Sequence, residues 1–210
     1  MSRKILATKL RGLYAITPDC NDTGDLLHRV RRALAGGVHM LQYRNKLANT
    51  TLQHEQALAL RGLTREFGAV FIVNDDAQLA AKVDADGVHL GADDGEVAAA
   101  RALLGAEKLI GVSCYNRAEL ARQAVVAGAD YVAFGAFFSS SVKPEAVRAE
   151  LELLRQDYGV PVVAIGGITL ENGGVLIEAG ADALAVISAV FAASDVQQAA
   201  QDFSKLFSKA

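Results

Sequence analysis

Short apolar runs alternate with longer amphipathic stretches along this chain, and the alternation occurs eight times. The apolar runs predict strands at Gly12–Ile16, His39–Tyr43, Val70–Val73, Gly87–Leu90, Leu109–Val112, Tyr131–Phe134, Val162–Ile165 and Ala183–Ile187. Helical spacing predicts helices near Asp25–Ala35, Leu52–Phe67, Ala77–Lys82, Val97–Leu104, Arg117–Ala127, Pro144–Tyr158, Glu171–Ala179 and Val196–Phe207. β-rich runs separated by helical periods imply a parallel sheet with helical crossovers. Eight such units in 210 residues favour closure into a ring over an open doubly wound sheet. The expected architecture is α/β: a single (β/α)8 TIM barrel domain over residues 1–210, with its ligand site at the C-terminal strand ends.

A weak internal repeat supports this reading. Ala35-Gly36-Gly37-Val38, Asp84-Ala85-Asp86-Gly87, Ala127-Gly128-Ala129-Asp130 and Ala179-Gly180-Ala181-Asp182 each precede a predicted strand. Glycine suits the left-handed residue that ends a helix, and small residues let the chain turn tightly. These segments belong on the bottom face, where residues serve stability.

Composition narrows the function classes. Net charge is −3 with no basic block, which excludes nucleic acid as an expected partner. No apolar run reaches the ~20 residues that span a bilayer, and the N-terminal stretch lacks the apolar segment of an export signal. The expectation is a cytoplasmic chain with no membrane partner, acting on small molecules; composition leaves a homo-oligomer open. Cys20 and Cys114 form no metal-type pair and are expected to be reduced, and the four histidines show no ligand spacing.

Chemistry in such a barrel sits just beyond each strand. After the second strand comes Gln42-Tyr43-Arg44-Asn45-Lys46; alternation points Gln42, Arg44 and Lys46 in one direction, toward the mouth. Two cations and an amide suit a polyanion such as pyrophosphate, although charged strand ends also occur as plain solvated surface. Asn74-Asp75-Asp76 and Gly91-Ala92-Asp93-Asp94 follow neighbouring strands. Their carboxylates suit either Mg2+ or helix capping; Asp76 and Asp93 fit caps, Asp75 and Asp94 metal. Ser113 fits a positioning donor, Cys114 a small buried side chain, and Asn116 a helix cap. The stretch from Gly135 to Pro144 is a long hydroxyl-rich loop ending in Lys143. Gly166-Gly167 and Ser188 follow the last two strands, where barrels often bind phosphate. His89, inside a strand, reads as a satisfied core histidine, and His39 as structural.

Taken in order, Gln42-x-Arg44-x-Lys46, Val73-Asn74-Asp75-Asp76, Asp86-Gly87-Val88-His89-Leu90-Gly91 with Asp94, Gly111-Val112-Ser113 and Ile165-Gly166-Gly167-Ile168 resemble the thiamine phosphate synthase family. The resemblance runs from Gly12 to about Ser188. It implies a transferase that joins 4-amino-2-methyl-5-hydroxymethylpyrimidine diphosphate to a thiazole phosphate or its carboxylate. The implied products are thiamine phosphate, pyrophosphate and, from the carboxylate, CO2. By resemblance, Gln42, Arg44, Lys46, Asn74, Ser113 and Lys143 hold the pyrimidine diphosphate, with Arg44, Lys46, Lys143 and Ser113 as catalytic residues. Asp75 and Asp94 hold Mg2+, and Ser140, Ser141, Gly166, Ile187 and Ser188 line the thiazole phosphate site. Tyr43, Asn45, Val142 and Gly167 complete the implied binding set.

Physical chemistry is consistent with that assignment. Three side-chain cations and Mg2+ supply about +5, and two Asp ligands about −2, leaving roughly +3 against a leaving group of roughly −3. One departure from the family stands out. The loop before Lys143 reads Ser139-Ser140-Ser141-Val142, where prolines and threonines are usual, which weakens the case for full thiazole affinity. Two rival readings follow: a thiazole tautomerase on the same barrel, and a non-catalytic paralogue that binds thiamine precursors. The pyrophosphate clamp argues against the first, and only the serine loop favours the second.

Overall fold

The computed structural model describes residues 10–91, 96–139 and 148–208. Eight parallel strands close into a barrel in simple chain order, β1 beside β2 and onward to β8, which returns to β1. The strands are β1 (Gly12–Ile16), β2 (Met40–Tyr43), β3 (Val70–Asn74), β4 (Gly87–Leu90), β5 (Leu109–Tyr115), β6 (Tyr131–Phe134), β7 (Val162–Ile165) and β8 (Ala183–Val186). Around them run α1 (Thr23–Ala35), α2 (Thr50–Phe67), α3 (Ala77–Lys82), α4 (Val97–Leu104), α5 (Ala118–Val126), α6 (Gly173–Glu178), α7 (Ser188–Phe191) and α8 (Val196–Leu206). The expected barrel is therefore observed. No described helix is long and apolar enough to cross a membrane.

Period-two alternation divides the core into two layers. Tyr14, Ile16, Met40, Ile72, Leu109, Tyr131, Val163 and Ala185 point inward and pack inside the ring. Their neighbours Leu13, Ala15, Leu41, Phe71, Val132 and Leu184 point outward beneath the helices. Side chains fill the lower ring, and a cavity opens toward the C-terminal ends.

The repeat does mark the bottom face, and its aspartates have a defined task there. Asp86 accepts from Phe71 N, Asp130 from Ile110 N and Asp182 from Val162 N, at 2.8–2.9 Å. Each also pairs with an arginine: Arg61, Arg101 and Arg11 respectively. Gly37, Gly128 and Gly180 take the left-handed conformation at these turns, and Asp84 takes it in the remaining copy with φ 52°. Aspartate tolerates that region better than most residues.

Several boundaries differ from the sequence reading for local reasons. The helix expected over Pro144–Tyr158 is, in its described part, a single 3-10 turn at Leu151–Leu153. The Ala149 N–H donates instead to Ala136 O at 2.8 Å, which draws the backbone out of helical register. β5 runs on to Tyr115 through an irregularity against β6, so Ser113 and Cys114 lie within the strand. Asn116 does not cap α5; Arg117 occupies that position without a side-chain cap bond. Asp76 caps α3 as expected, accepting from Leu79 N at 2.8 Å. β8 ends at Val186, and Ser188 opens a short helix, α7, that periodicity over four residues cannot announce.

The Arg61–Asp86 pair is doubly hydrogen-bonded at 2.8 and 2.9 Å, with side chains 9% and 12% exposed. Asp86→Ala strands a buried guanidinium and frees Phe71 N. The expected loss in urea unfolding is about 3 kcal/mol, the lower end for a broken buried pair because Asp84 stays 3.9 Å from Arg61. A loss below about 1 kcal/mol counts against this role.

Candidate active site

A cavity of about 920 Å3 opens at the C-terminal ends of the strands. Gln42, Arg44, Lys46, Asn74, Asp75, Ser113, Gly166, Gly167, Ile187 and Ser188 all line it. Residues from five strand ends thus share one mouth, as alternation in a closed ring requires. Asp93, Asp94, Ser140, Ser141, Val142 and Lys143 lie outside the described residues.

The two cations after β2 are held by a residue the sequence reading missed. Thr17 and Arg44 clamp the ends of β1 and β2: Arg44 N donates to Thr17 Oγ1, and that hydroxyl donates to Arg44 O, both at 2.9 Å. Asp19 accepts from Lys46 N at 2.6 Å and lies 3.5 Å from the Arg44 guanidinium. Lys46 Nζ sits 3.5 Å from Asp75 Oδ2, across the gap between β2 and β3. Asp75 adopts φ 64°, and its N–H donates to His89 O at 2.8 Å. A non-glycine residue in that region costs on the order of 1–3 kcal/mol. The neighbouring strand holds the turn, and the carboxylate faces the cavity.

Tyr43 and Asn45 are not among the residues that line the cavity. Alternation turns both outward, where Tyr43 Oη donates to Gln56 Oε1 at 2.9 Å. Burial raises the Tyr43 phenol well above its ordinary value. Asn45 Nδ2 donates to Cys20 O and Gln56 Oε1, and its Oδ1 accepts from Leu47 N and Ala48 N. These two residues brace the loop that carries Arg44 and Lys46.

The glycines after β7 do more than bare the backbone. Gly166 and Gly167 have φ of 102° and 64°. A Cβ at Gly166 would lie 2.4 Å from Ala136 Cβ, and one at Gly167 would lie 2.4 Å from Ser139 O. The loop after β6 rests directly on them, with Phe138 N donating to Gly166 O at 3.0 Å. Asn172 clips the far side, donating to Gly167 O and accepting from Thr169 N. Beside them, Ser188 and Ala189 begin α7 at the cavity wall. The first amides of a helical turn have no intrahelical partner, which suits an anion.

Beneath the mouth, polar side chains form a continuous chain. Gln42 Nε2 donates to Tyr14 Oη at 2.7 Å, and Tyr14 Oη lies 2.9 Å from Tyr131 Oη. Tyr131 Oη lies 3.0 Å from His89 Nδ1, and His89 Nε2 lies 2.9 Å from Ser113 Oγ. His89 is satisfied, as expected, yet it also faces the cavity. Tyr14 and Tyr131 escaped the sequence reading; their inward positions on β1 and β6 were the available signal. Tyr115 and Arg117 also line the mouth and were not anticipated.

Known proteins resemble this chain along nearly its whole length. Residues 13–190 match the family described as thiamine monophosphate synthase. The chain belongs to the thiamine monophosphate synthase family. Within that family it is 56% identical to a thiamine-phosphate synthase of Methylobacillus flagellatus over 200 residues, covering 94% of this chain and 96% of the relative. It is 57% identical to the thiamine-phosphate synthase of an Azoarcus species, covering 96% and 100%. Among solved structures it resembles a thiamine phosphate pyrophosphorylase from Pyrococcus furiosus, with TM-score 0.85, 38% identity and coverage of 97% and 98%. The family read from the ordered motifs is the family found.

Cys114 sits on the outer face of β5, fully buried, and burial pushes its thiol up to about 12. Cys20 is partly exposed. Thiolate is the reactive form. At pH 8 the native protein is expected to give one fast equivalent with a thiol reagent, and two in denaturant. Two fast native equivalents would contradict the burial of Cys114.

Proposed function

We propose that this chain is a thiamine-phosphate synthase, a transferase that joins a pyrimidine methyl diphosphate to a thiazole phosphate. The observation that carries this reading is the convergence of Arg44, Lys46, Asn74, Asp75 and Ser113 on one cavity wall, opposite Gly166, Gly167 and Ser188. One side suits a diphosphate and the other a monophosphate. The cavity lies within the roughly 300–1,000 Å3 usual for small-ligand sites.

Pyrophosphate departs readily only where its growing charge meets fixed opposite charge. Arg44 and Lys46 approach it from β2, with Lys143 assigned to the same task by resemblance. Asp19 braces the Arg44 guanidinium and the Lys46 backbone, so little reorganisation of this segment accompanies reaction. Asn74 and Gln42 offer amide contacts, and Ser113 contacts the pyrimidine ring. The amino group of that ring stabilises a methylene cation as the C–O bond breaks, and the thiazole nitrogen then attacks. No general base and no covalent intermediate are needed. The glycine loop and the start of α7 hold the thiazole phosphate at bonding distance from the pyrimidine.

Asp75 fits a Mg2+ ligand: a hard oxygen donor on the cavity wall, held in an unusual backbone conformation beside the diphosphate cations. Asp94 is its assigned companion by resemblance. Mg2+, when bound, adds positive charge at the leaving pyrophosphate. The charged substrates and two free cysteines fit a cytoplasmic setting.

Purified protein with both substrates and Mg2+ is expected to release pyrophosphate and form thiamine phosphate, and chelator is expected to abolish turnover. Asp75→Ala should lower kcat at least a hundredfold, the scale of losing one electrostatic group at a charge-developing centre. Turnover indifferent to chelator would remove the metal role, and no product at all would remove the synthase reading. Gly167→Ala is expected to raise KM for the thiazole phosphate several-fold while moving KM for the diphosphate less. An equal rise in both would argue against separate phosphate sites.

A further inference from the structure

The hydrogen-bond chain under the mouth admits a direction. Gln42 presents an amide N–H to Tyr14 Oη. Tyr14 is buried, and an N–H cannot accept, so the Tyr14 proton turns to Tyr131. A hydroxyl has one proton, and the contact between the two phenols then already holds one. Tyr131 therefore directs its own proton to His89 Nδ1. A histidine accepting at Nδ1 carries its proton on Nε2, which donates to Ser113 Oγ. The Ser113 proton is left to face the cavity.

We propose that Gln42, Tyr14, Tyr131 and His89 act as a one-way relay of hydrogen-bond polarity that fixes Ser113 as a donor into the cavity. Ser113 then selects a substrate atom that accepts, such as an unprotonated ring nitrogen of a heteroaromatic substrate, and rejects one that donates. Tyr14, Tyr131 and His89 are positioning residues acting through Ser113.

Burial supports the relay, because it raises both phenols far above their ordinary range and keeps them protonated. Packing supports it as well. The His89 and Tyr131 rings stack with centroids 5.5 Å apart, and Tyr14 meets Tyr131 edge-on at 6.2 Å. Gly111 makes room for the relay: a Cβ there would lie 2.0 Å from Tyr131 Cζ. Neither phenol can turn aside without disturbing the ring interior. A glutamine turned end for end would reverse every bond and make Ser113 an acceptor, so the polarity is a testable property of the fold.

The selection of a ring nitrogen rests on the synthase reading; the relay itself does not. The test is 15N NMR on histidine-labelled full-length protein, with His89 assigned from His89→Asn. The expected result is a bare Nδ1 and a protonated Nε2. A protonated Nδ1 would overturn the proposal without bearing on whether the enzyme turns over. Tyr131→Phe keeps the ring and removes the link, and is expected to mix the two tautomers. It should lower kcat/KM for the pyrimidine diphosphate about tenfold, the scale of one lost hydrogen bond, and leave inhibition by inorganic pyrophosphate unchanged. In a Ser113→Ala background the same substitution should cause no further loss. Losses that multiply, or an equal change in pyrophosphate inhibition, would overturn action through Ser113. Tyr14→Phe provides a second break in the chain, with the same expected non-additivity.

Discussion

Closure of the ring is the constraint on which the rest depends. β1 pairs with β2 along one edge and with β8 along the other, so no strand edge remains unpaired. With every strand parallel and in chain order, all C-terminal ends face the same way. Period-two alternation then sorts each strand into residues that enter the ring and residues that lie under the helices. A slip of one residue in β2 would exchange Gln42 for Tyr43 and Arg44 for Asn45, and the diphosphate wall would be lost.

The two ends of the barrel use polar residues differently. At the bottom, Asp86, Asp130 and Asp182 each satisfy a strand N–H and an arginine, which secures the starts of β3, β5 and β7. At the top, polar groups are held by one another but left facing open space: Arg44 by Asp19, Lys46 by Asp75, Ser113 by His89. Strain also gathers there, with Asp75 and Tyr115 in the left-handed region at the cavity wall. A stable base supports a mouth built for ligands rather than for stability.

Glycine supplies both backbone conformation and space in this chain. At the bottom turns it supplies a backbone conformation, for which Asp84 can stand in, and at Gly37 and Gly180 a close approach of Ser204 and Leu154 as well. At Gly166 and Gly167 it also supplies space, because two loops meet there at distances no Cβ allows. Ala136 and Ser139 press against these glycines, so the monophosphate side of the cavity is shaped by a contact between the β6 and β7 loops.

Local information determined much of this protein. Apolar spacing gave all eight strands within a few residues, since period and burial are properties of short segments. Alternation after β2 sufficed to aim Gln42, Arg44 and Lys46, and the same rule should have excluded Tyr43 and Asn45 and flagged Tyr14. Ordered motifs were enough to name the family. Tertiary structure alone decided which distant side chains meet. Asp19 beside Arg44, the path from Gln42 through two tyrosines to Ser113, and the loop resting on Gly166 and Gly167 join residues far apart in sequence. The segment after Ala149 likewise left its helical pattern for a bond to Ala136. Periodicity reports which face of an element is buried; only closure of the ring sets what that face touches.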